Sequence, residues 1–374
     1  MSREVPEGWR RSKLGDLIQL EYGKALAAAE RREGDVPVFG SSGIVGYHDK
    51  AAAAGPSIVI SRKGSLGGVF YVESGFWPID TTYFVAQREN SNWRWLTYLL
   101  KFASLERLNE ATGVPGLNRD KTAKEEVFVP PLHEQRRIAE ILSSVDEAIA
   151  ATRAVIEQTR KVKQGMLERL LTKGIGHTRF KQTEIGEIPE GWAVAKFGEI
   201  FKLTSGKLKS VKSLSPEQSD TSPYPAYGGN GVAGYTSECL VDDDLIVIGR
   251  VGEYCGSAYR SLGKAWITDN ALYTKEFLAE VDRDYVHFAF SLVPLMNIRG
   301  GGGQPLVSQT AIYAQVLALP KLDEQRAIVE ILKGFENTAS DLHLSKLIEI
   351  KSALMSDLLT GRKRVTDALP VAAE

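Results

Sequence analysis

Apolar residues in this chain follow two different periods, and the periods alternate along it. From Ile138 the positions Ile138, Leu142, Val145, Ile149, Thr152, Ile156, Thr159, Lys163, Met166 and Leu170 step by alternating fours and threes. That is the heptad spacing of a helical seam that faces another helix. It predicts one helix of about forty residues, roughly 60 Å long at 1.5 Å per residue, which suits a strut better than an ordinary packed element. Pro130-Pro131 fix its start, Gly174 and Gly176 its stop, and Arg169 and Lys173 place cations at the negative end of its dipole. A second helical stretch begins after Pro320 with Ile328, Leu332, Phe335, Ala339 and Leu342, then continues less regularly through Leu347, Ile350, Leu354 and Leu358. Its seam slips near His343. Two such seams in one chain bury each other most economically as an antiparallel pair; a homodimeric coiled coil is the alternative.

The stretches before each helical part have another rhythm. Short β-branched runs such as Ser57-Ile58-Val59-Ile60 and Leu245-Ile246-Val247-Ile248 alternate with clusters of Gly, Pro, Ser and Asn, and read as strands and loops. Shorter helices are predicted over 93–107 and 284–292, so the class is α+β.

Laid side by side, the two halves are copies. Val5-Pro6-Glu7-Gly8-Trp9 returns as Ile188-Pro189-Glu190-Gly191-Trp192, and Gly23-Lys24 as Gly206-Lys207. Gly46-Tyr47 returns as Gly234-Tyr235, and Ile58-Val59-Ile60 with Arg62 as Ile246-Val247-Ile248 with Arg250. Glu134-Gln135-Arg136 returns as Glu324-Gln325-Arg326, and Leu170-Leu171-Thr172 as Leu358-Leu359-Thr360. Two copies suggest two similar jobs done side by side.

Composition narrows the picture. With 374 residues, 43% hydrophobic and 25% charged, the chain is globular material for two to four domains of ordinary size. No signal-peptide pattern opens it and no apolar run approaches the roughly 20 residues of a membrane span, so a cytoplasmic protein is expected. Cys239 and Cys255 have no counterparts in the first half and no C-x-x-C spacing, and reduced thiols are expected. A formal net charge of −1 gives no general sign of phosphate binding. Basic residues are nonetheless clustered locally, at Arg31, Arg32, Lys50, Arg62 and Lys63 and again at Lys202, Lys207, Lys209 and Lys212.

Three segments carry a family resemblance. Val129-Pro130-Pro131-Leu132-His133-Glu134-Gln135-Arg136-Arg137-Ile138, Met166-Leu167-Glu168-Arg169-Leu170-Leu171-Thr172-Lys173-Gly174 and Ile185-Gly186-Glu187-Ile188-Pro189-Glu190-Gly191-Trp192 resemble the specificity (S) subunit of type I restriction-modification systems. The likeness covers nearly the whole chain and includes the order of its parts. It implies two pseudo-repeated α/β target recognition domains, 1–130 and 186–319, separated by two long antiparallel coiled-coil helices within 131–185 and 320–374. In that family the S subunit is not an enzyme: each recognition domain reads half of a split, asymmetric DNA site and the helix pair sets the gap. The resemblance also implies double-stranded DNA, two methylation (M) subunits and restriction (R) subunits as partners, with S-adenosylmethionine, ATP and magnesium on those partners and no cofactor on this chain. Joined end to start, the segment Arg362-Lys363-Arg364-Val365 and the N-terminal residues would approximate the junction that follows the first helix, which suits the family's circular pseudo-symmetry.

Half-sites about one turn of DNA apart, roughly 34 Å, would let both readers enter major grooves on one side of the duplex. Reading bases needs side chains at base edges, whereas Lys, Arg and backbone N–H groups on phosphates only position the protein. The Gly-rich loop 40–47 and its copy 228–235, with Ser41, Ser42, Tyr47, Asn230 and Tyr235, allow close approach to DNA; a tight turn between strands explains them equally. Arg62, beside Lys63, and Arg250 follow equivalent strands and suit a guanine or a phosphate. Lys24 and Lys207 suit phosphates. Asn118, Arg119, Gln304 and Gln309 offer the donors and acceptors that bases require. Residues shared by both copies are expected to position, and residues that differ are expected to read.

Other chemistries find little support. Gly229-Asn230-Gly231-Val232-Ala233-Gly234 satisfies G-x-G-x-x-G, but it leads towards a strand, and Ser41 replaces the first glycine in the other copy. No G-x-x-x-x-G-K-[ST] phosphate loop or Asn/Asp-Pro-Pro-Tyr methylase motif occurs, and the five histidines show no spacing that would gather a metal. Glu349-Ile350-Lys351 imitates a nuclease E-x-K, yet it lies in the predicted helix and is expected to be solvated helix charge. Asp242-Asp243-Asp244 is expected to be a solvated turn. Two alternatives stand beside the S-subunit reading: a specificity or scaffold protein of another phage-defence methylation system, and a nucleotide-dependent two-domain enzyme.

Overall fold

The computed structural model describes residues 4–109, 116–293, 295–300, 305–334 and 339–365. They fall into two compact units: Met1–Val155 with Ala339–Glu374, and Ile156–Thr338.

The first unit opens with β1 (Arg10–Lys13), the single turn α1 (Leu14–Leu17), β2 (Ile18–Tyr22), β3 (Val36–Gly40), β4 (Gly43–His48), β5 (Ser57–Ser61), β6 (Val69–Val72), β7 (Trp77–Pro78) and β8 (Thr82–Gln87). Then come α2 (Trp93–Phe102), α3 (Arg119–Lys124), β9 (Glu126–Val129) and the 42-residue α4 (Leu132–Lys173). The second unit repeats the order with one extra strand in its smaller sheet and an added hairpin, β10 (Phe180–Thr183) and β11 (Gly186–Pro189). It continues through β12 (Ala193–Lys196), α5 (Phe197–Ile200), β13 (Phe201–Ser205), β14 (Tyr224–Gly228), β15 (Gly231–Thr236), β16 (Val241–Asp242), β17 (Leu245–Gly249), β18 (Ala258–Ser261), β19 (Lys264–Ile267) and β20 (Ala271–Phe277). It ends with α6 (Arg283–Ala289), α7 (Gln309–Tyr313), β21 (Val316–Leu319) and α8 (Leu322–Gly334); α9 (Ala339–Leu359) then returns to the first unit.

Each unit holds one four-stranded antiparallel sheet, ordered β2-β8-β5-β6 in the first and β13-β20-β17-β18 in the second. A smaller sheet accompanies it, β4-β3-β7 or β15-β14-β19-β16, with one parallel pairing each, Val38 beside Trp77 and Ala226 beside Trp266. The β1–β9 and β12–β21 pairs bring the start of each recognition region back to the strand that leads into the helices. The central strands β5 and β17 are buried throughout, as uninterrupted β-branched runs require.

The short helices end earlier than their apolar period suggests. Ser104 adopts a left-handed φ of 48° and stops α2, after which Leu105–Leu108 forms a 3-10 turn. In the second unit α6 tightens into a 3-10 turn at Phe290–Leu292.

The first unit's core joins Leu14, Leu17, Ile58, Ile60, Trp95 and Leu100 to Ile138 and Leu142 at the start of α4 and to Leu358 and Leu359 at the end of α9. In the second unit, Phe197, Phe201, Ile246 and Tyr285 join Leu167, Leu170 and Leu171 at the end of α4 and Ile328 and Leu332 at the start of α8. In each unit the start of one helix meets the end of the other, so the pairing is antiparallel. Each such buried Leu or Ile contributes about 1.5–3 kcal/mol. Gly174, at φ 64°, ends α4 as expected of a left-handed cap.

The second seam differs from the expected one. Leu342 and Ile350 are 61% and 50% exposed. The inward positions are instead Leu344, Leu347, Lys351, Leu354 and Leu358, a regular heptad in which one place is taken by lysine. Lys351 Nζ lies 2.6 Å from Asp146 Oδ1 on α4 and 5.8 Å from the ring of Tyr98, whose hydroxyl donates to Asp146 Oδ2. Lys351 is therefore a partnered interhelical charge, which corrects its reading as solvated helix charge. Burial pushes the Tyr98 phenol up to about 12, and Asp146 adds to the effect. Thr159, on the first seam, is exposed; Phe335 lies outside the described residues.

The repeated Glu-Gln at the head of each helical part is explained by its partners. Gln135 Oε1 accepts from Asn92 N and its Nε2 donates to Pro130 O; Gln325 does the same with Asp282 N and Pro320 O. Asn92 and Asp282 are the N-caps of α2 and α6, so each glutamine ties a recognition helix to the long-helix start. Glu134 accepts from the Trp9 indole (3.1 Å) and from the Arg364 guanidinium. Glu324 accepts from the Trp192 indole (2.9 Å) and Ile175 N, and pairs with His177. Arg364 thus supplies in the first unit what His177, in the segment following α4, supplies in the second. Arg364 also donates to Glu7 O.

Burial pushes the Glu134 carboxyl up, but hydrogen bonds from Arg364 and Trp9 outweigh it and hold the group below its ordinary value of 4.5. Its stabilisation is complete above that pH and drains away as pH falls through the lower folded-state value. Glu134→Ala removes the carboxylate that neutralises Arg364 and accepts from the Trp9 indole, and is expected to cost the first unit about 3 kcal/mol, measured by urea unfolding near neutral pH. The wild-type advantage over Glu134→Gln is expected to shrink on acidification from about pH 6 to about pH 3, measured the same way.

Candidate nucleic-acid interface

Both four-stranded sheets end in the same backbone cage. In the first unit Gly23 N donates to Thr82 O, Arg62 N to Thr81 O and Leu117 N to Arg62 O. In the second, Gly206 N donates to Ala271 O, Arg250 N to Asn270 O and Val307 N to Arg250 O. These bonds bring together four chain segments: the residue after β2 or β13, the turn after β5 or β17, the entry to β8 or β20, and the residues that lead into α3 or α7. The close approach requires glycine, because a Cβ on Gly23 would lie 2.1 Å from Ile79 O and one on Gly206 would lie 2.2 Å from Thr268 O.

The cage presents Arg62 and Arg119 in the first unit. Arg62 lies over the rings of Tyr22 (4.8 Å) and Tyr83 (5.6 Å) while its Nη1 donates to Asp80 O. Arg119 approaches the Tyr22 ring at 5.4 Å. Lys63 is exposed beside them, its backbone bridged to Gly116. Tyr22 is itself 52% exposed. In the second unit Ser205 stands where Tyr22 does, and its hydroxyl accepts from Arg250 Nη1 at 3.2 Å. Gln309 occupies the place of Arg119 as first residue of its helix. Gln304 lies outside the described residues.

Lys24 and Lys207 are exposed on equivalent turns. Each turn is tied by a tryptophan indole, Trp77 to Lys24 O (2.8 Å) and Trp266 to Lys207 O (3.3 Å). Cations cover both rings: Lys24 in one unit and Lys209 in the other, at 5.7 and 4.0 Å.

The Gly-rich loops are hairpin turns, Gly40 pairing with Gly43 and Gly228 with Gly231. Gly229 and Asn230 turn from β14 directly into β15, which holds Gly231 to Gly234, so the segment is not the strand-to-helix turn of a dinucleotide site. Ser41 is turned inward, its hydroxyl donating to Thr81 O and Lys63 O, so it holds the turn and is not displayed as a reader. Ser42 is exposed. Asn230 accepts from the Tyr259 hydroxyl at 3.3 Å. Tyr47 is 55% exposed next to exposed Ile44 and Val45, whereas Tyr235 is half-buried. Asn118 is the N-cap of α3, its side-chain carbonyl accepting from Asp120 N and Lys121 N. Asp243 and Asp244 are likewise committed: Arg283 pairs with Asp243, and Gly263 N donates to Asp244 Oδ1. The hydrogen bond from Arg283 holds the Asp243 carboxyl below its ordinary range.

The sequence reading missed Tyr22, Trp77 and Trp266. The tryptophans were legible as a repeated pair; Tyr22 was not, because the other copy has serine there. Among the described residues no helix is long and apolar enough to cross a membrane, no group of His, Cys, Asp and Glu gathers as a metal site, and both cysteines are free thiols, Cys255 buried and Cys239 exposed. Gly23→Ala is expected to destabilise the first unit by at least about 1–3 kcal/mol, seen as a lowered melting temperature, because the added carbon meets backbone that cannot give way.

Comparison with known proteins follows the same lines. The chain is 27% identical over 404 aligned residues to the type I restriction enzyme MjaVIII specificity subunit of Methanocaldococcus jannaschii, covering 96% of this chain and 94% of that one. The fold resembles the S subunit of a type I restriction-modification system from M. genitalium, with a TM-score of 0.65 and 19% identity over 96% of this chain and 98% of that one. A chain from a structure of type I R-M complex assembly and conformational transition matches at a TM-score of 0.58 and 15% identity, over 97% and 100% of the two chains. The type I restriction modification DNA specificity domain matches twice, over residues 6–159 and 189–352, so the chain belongs to that specificity family.

Proposed function

We propose that this chain is the DNA-recognition subunit of a type I restriction-modification complex and reads a bipartite, asymmetric site with one half-site per recognition region. The observation that carries this reading is the duplicated cage: the same backbone frame in both units, with different side chains at its mouth. A shared frame places the reader, and differing side chains let it read different sequences. In each unit Gln135 or Gln325 ties the N-cap of α2 or α6 to the head of a helix, which suits a device that fixes the gap between half-sites.

The chain supplies recognition, and catalysis belongs to its partners. Two methylation subunits would bind S-adenosylmethionine and modify adenine, while restriction subunits would use ATP and magnesium to cleave. Val155 and Val162 on α4 and Ile348 and Ile350 on α9 are exposed, supplying apolar surface to which partner subunits can dock.

Single-molecule methylation sequencing of the source strain beside one lacking only this gene tests the reading. Loss of methylated adenine from one split motif is the expected result; an unchanged methylome in a strain that expresses the partner methylases would defeat it. Inserting about one helical turn after Ala151 is expected to widen the gap and leave both half-sites unchanged, and replacing residues 1–130 with another recognition domain is expected to change one half-site alone, both read by the same sequencing.

A further inference from the structure

Resting on the proposed function, we infer that positions 119 and 309 are equivalent base-reading positions, with Arg119 demanding a guanine in one half-site and Gln309 an adenine in the other. The equivalence is geometric. Leu117 N donates to Arg62 O and Val307 N to Arg250 O, both at 2.9 Å, and a bridge pairs Lys63 with Gly116 and Val251 with Leu306. Two residues further on, Arg119 and Gln309 each begin a short helix, fixed in place by the side-chain caps Asn118 and Ser308.

The arginines common to both cages are already occupied. Arg62 donates to Asp80 O and Arg250 to Ser205 Oγ; present in both units, these arginines suit positioning on the phosphate backbone. Lys24 and Lys207 are common to both units as well. What differs is the side chain at 119 and 309, the residue beneath it, Tyr22 or Ser205, and position 63, where the first unit carries Lys63, a point charge suited to phosphate, and the second unit has Val251.

Arg119 is 44% exposed, and its ion pair with Asp120 spans 3.9 Å with the aspartate 85% exposed, a contact that water and salt readily displace. Tyr22 supports it by the ring face, and a guanidinium carried on an aromatic face keeps its in-plane N–H donors for a partner. Two such donors match O6 and N7 of guanine in the major groove. Gln309 is half-buried and carries one amide donor and one carbonyl acceptor, which match N7 and N6 of adenine. Tyr22 is then a positioning residue for Arg119, and the second unit needs no such platform because glutamine is shorter and uncharged.

The test uses the full chain assembled with its methylation subunits and maps methylated sites for wild type, Arg119→Lys, Arg119→Gln and Gln309→Ala. Arg119→Gln is expected to lose the demand for one guanine in one half-site, with discrimination there falling about tenfold or more, and Arg119→Lys, whose ammonium still reaches guanine O6 and N7 without the planar fork, to weaken the same demand by less, while the other half-site and the gap stay as in wild type. Gln309→Ala is expected to relax one adenine position in the opposite half-site only. Anisotropy titrations of the same complexes on duplexes carrying each base at each motif position cover the case in which a variant methylates too weakly to map. A motif unchanged in Arg119→Lys and Arg119→Gln, or a loss of affinity equal for every base, makes Arg119 a phosphate contact and overturns the inference, while the proposed function stands. A wild-type complex that marks no split motif overturns the proposed function, and the inference with it.

Discussion

The structure depends on a Glu-Gln pair at the head of each helical part, fully buried in the first unit and with a half-buried Glu324 in the second. Glu134, Gln135 and Gln325 are at most 3% exposed, and every polar atom they bury must find a partner or cost about 1–3 kcal/mol. Their partners come from parts of the chain far apart in sequence: a tryptophan from the start of the recognition region, an N-cap of its helix, and a cation from beyond the helices. Apolar packing alone would allow the sheets to slide against the helices, since the hydrophobic effect has no direction. The hydrogen bonds remove that freedom, and so give the reading loops a fixed relation to the helix they are mounted on.

The same joint is made with different chemistry in the two units. Glu134 has an arginine from the C-terminal segment, Glu324 a histidine and a backbone N–H from the segment after α4. Position 94 of α2 shows the same freedom. Arg94 lies over Tyr71 at 4.8 Å, while in the second unit Asp284 receives Arg260 and Lys333. Burial pushes the Asp284 carboxyl up, and the two cations overcome it and hold it below its ordinary value. What is kept between copies is the connection between elements, and the particular pair of side chains is free to change.

Much of this was legible in the residues. The heptad seam from Ile138, the Pro and Gly bounds of α4, the strands at 57–60 and 245–248 and the duplication all follow from local spacing, which the helix and strand periods enforce. The second seam was less legible because Lys351 occupies an inward place, and a reading based on apolar residues moved to Ile350 instead. Only the contact with Asp146 and Tyr98 explains why a charge is tolerated there. Among the candidate site residues, Ser41 and Asn118 have the right chemistry for bases, yet backbone groups already engage the Ser41 hydroxyl and the Asn118 side-chain carbonyl.

By itself, then, the sequence determined the class of elements, their order, the two copies and the family, because these depend on periodicity and on motifs whose residues lie close together along the chain. Tertiary structure decided which side chains hold the fold and which face outward. That choice depends on hydrogen bonds between residues distant in sequence, such as Arg364 with Glu134 or Leu117 with Arg62, and local spacing carries no information about them. The pairing of Arg119 with Gln309 belongs to the same group: the two residues are unlike in type, and only the shared cage makes them equivalent.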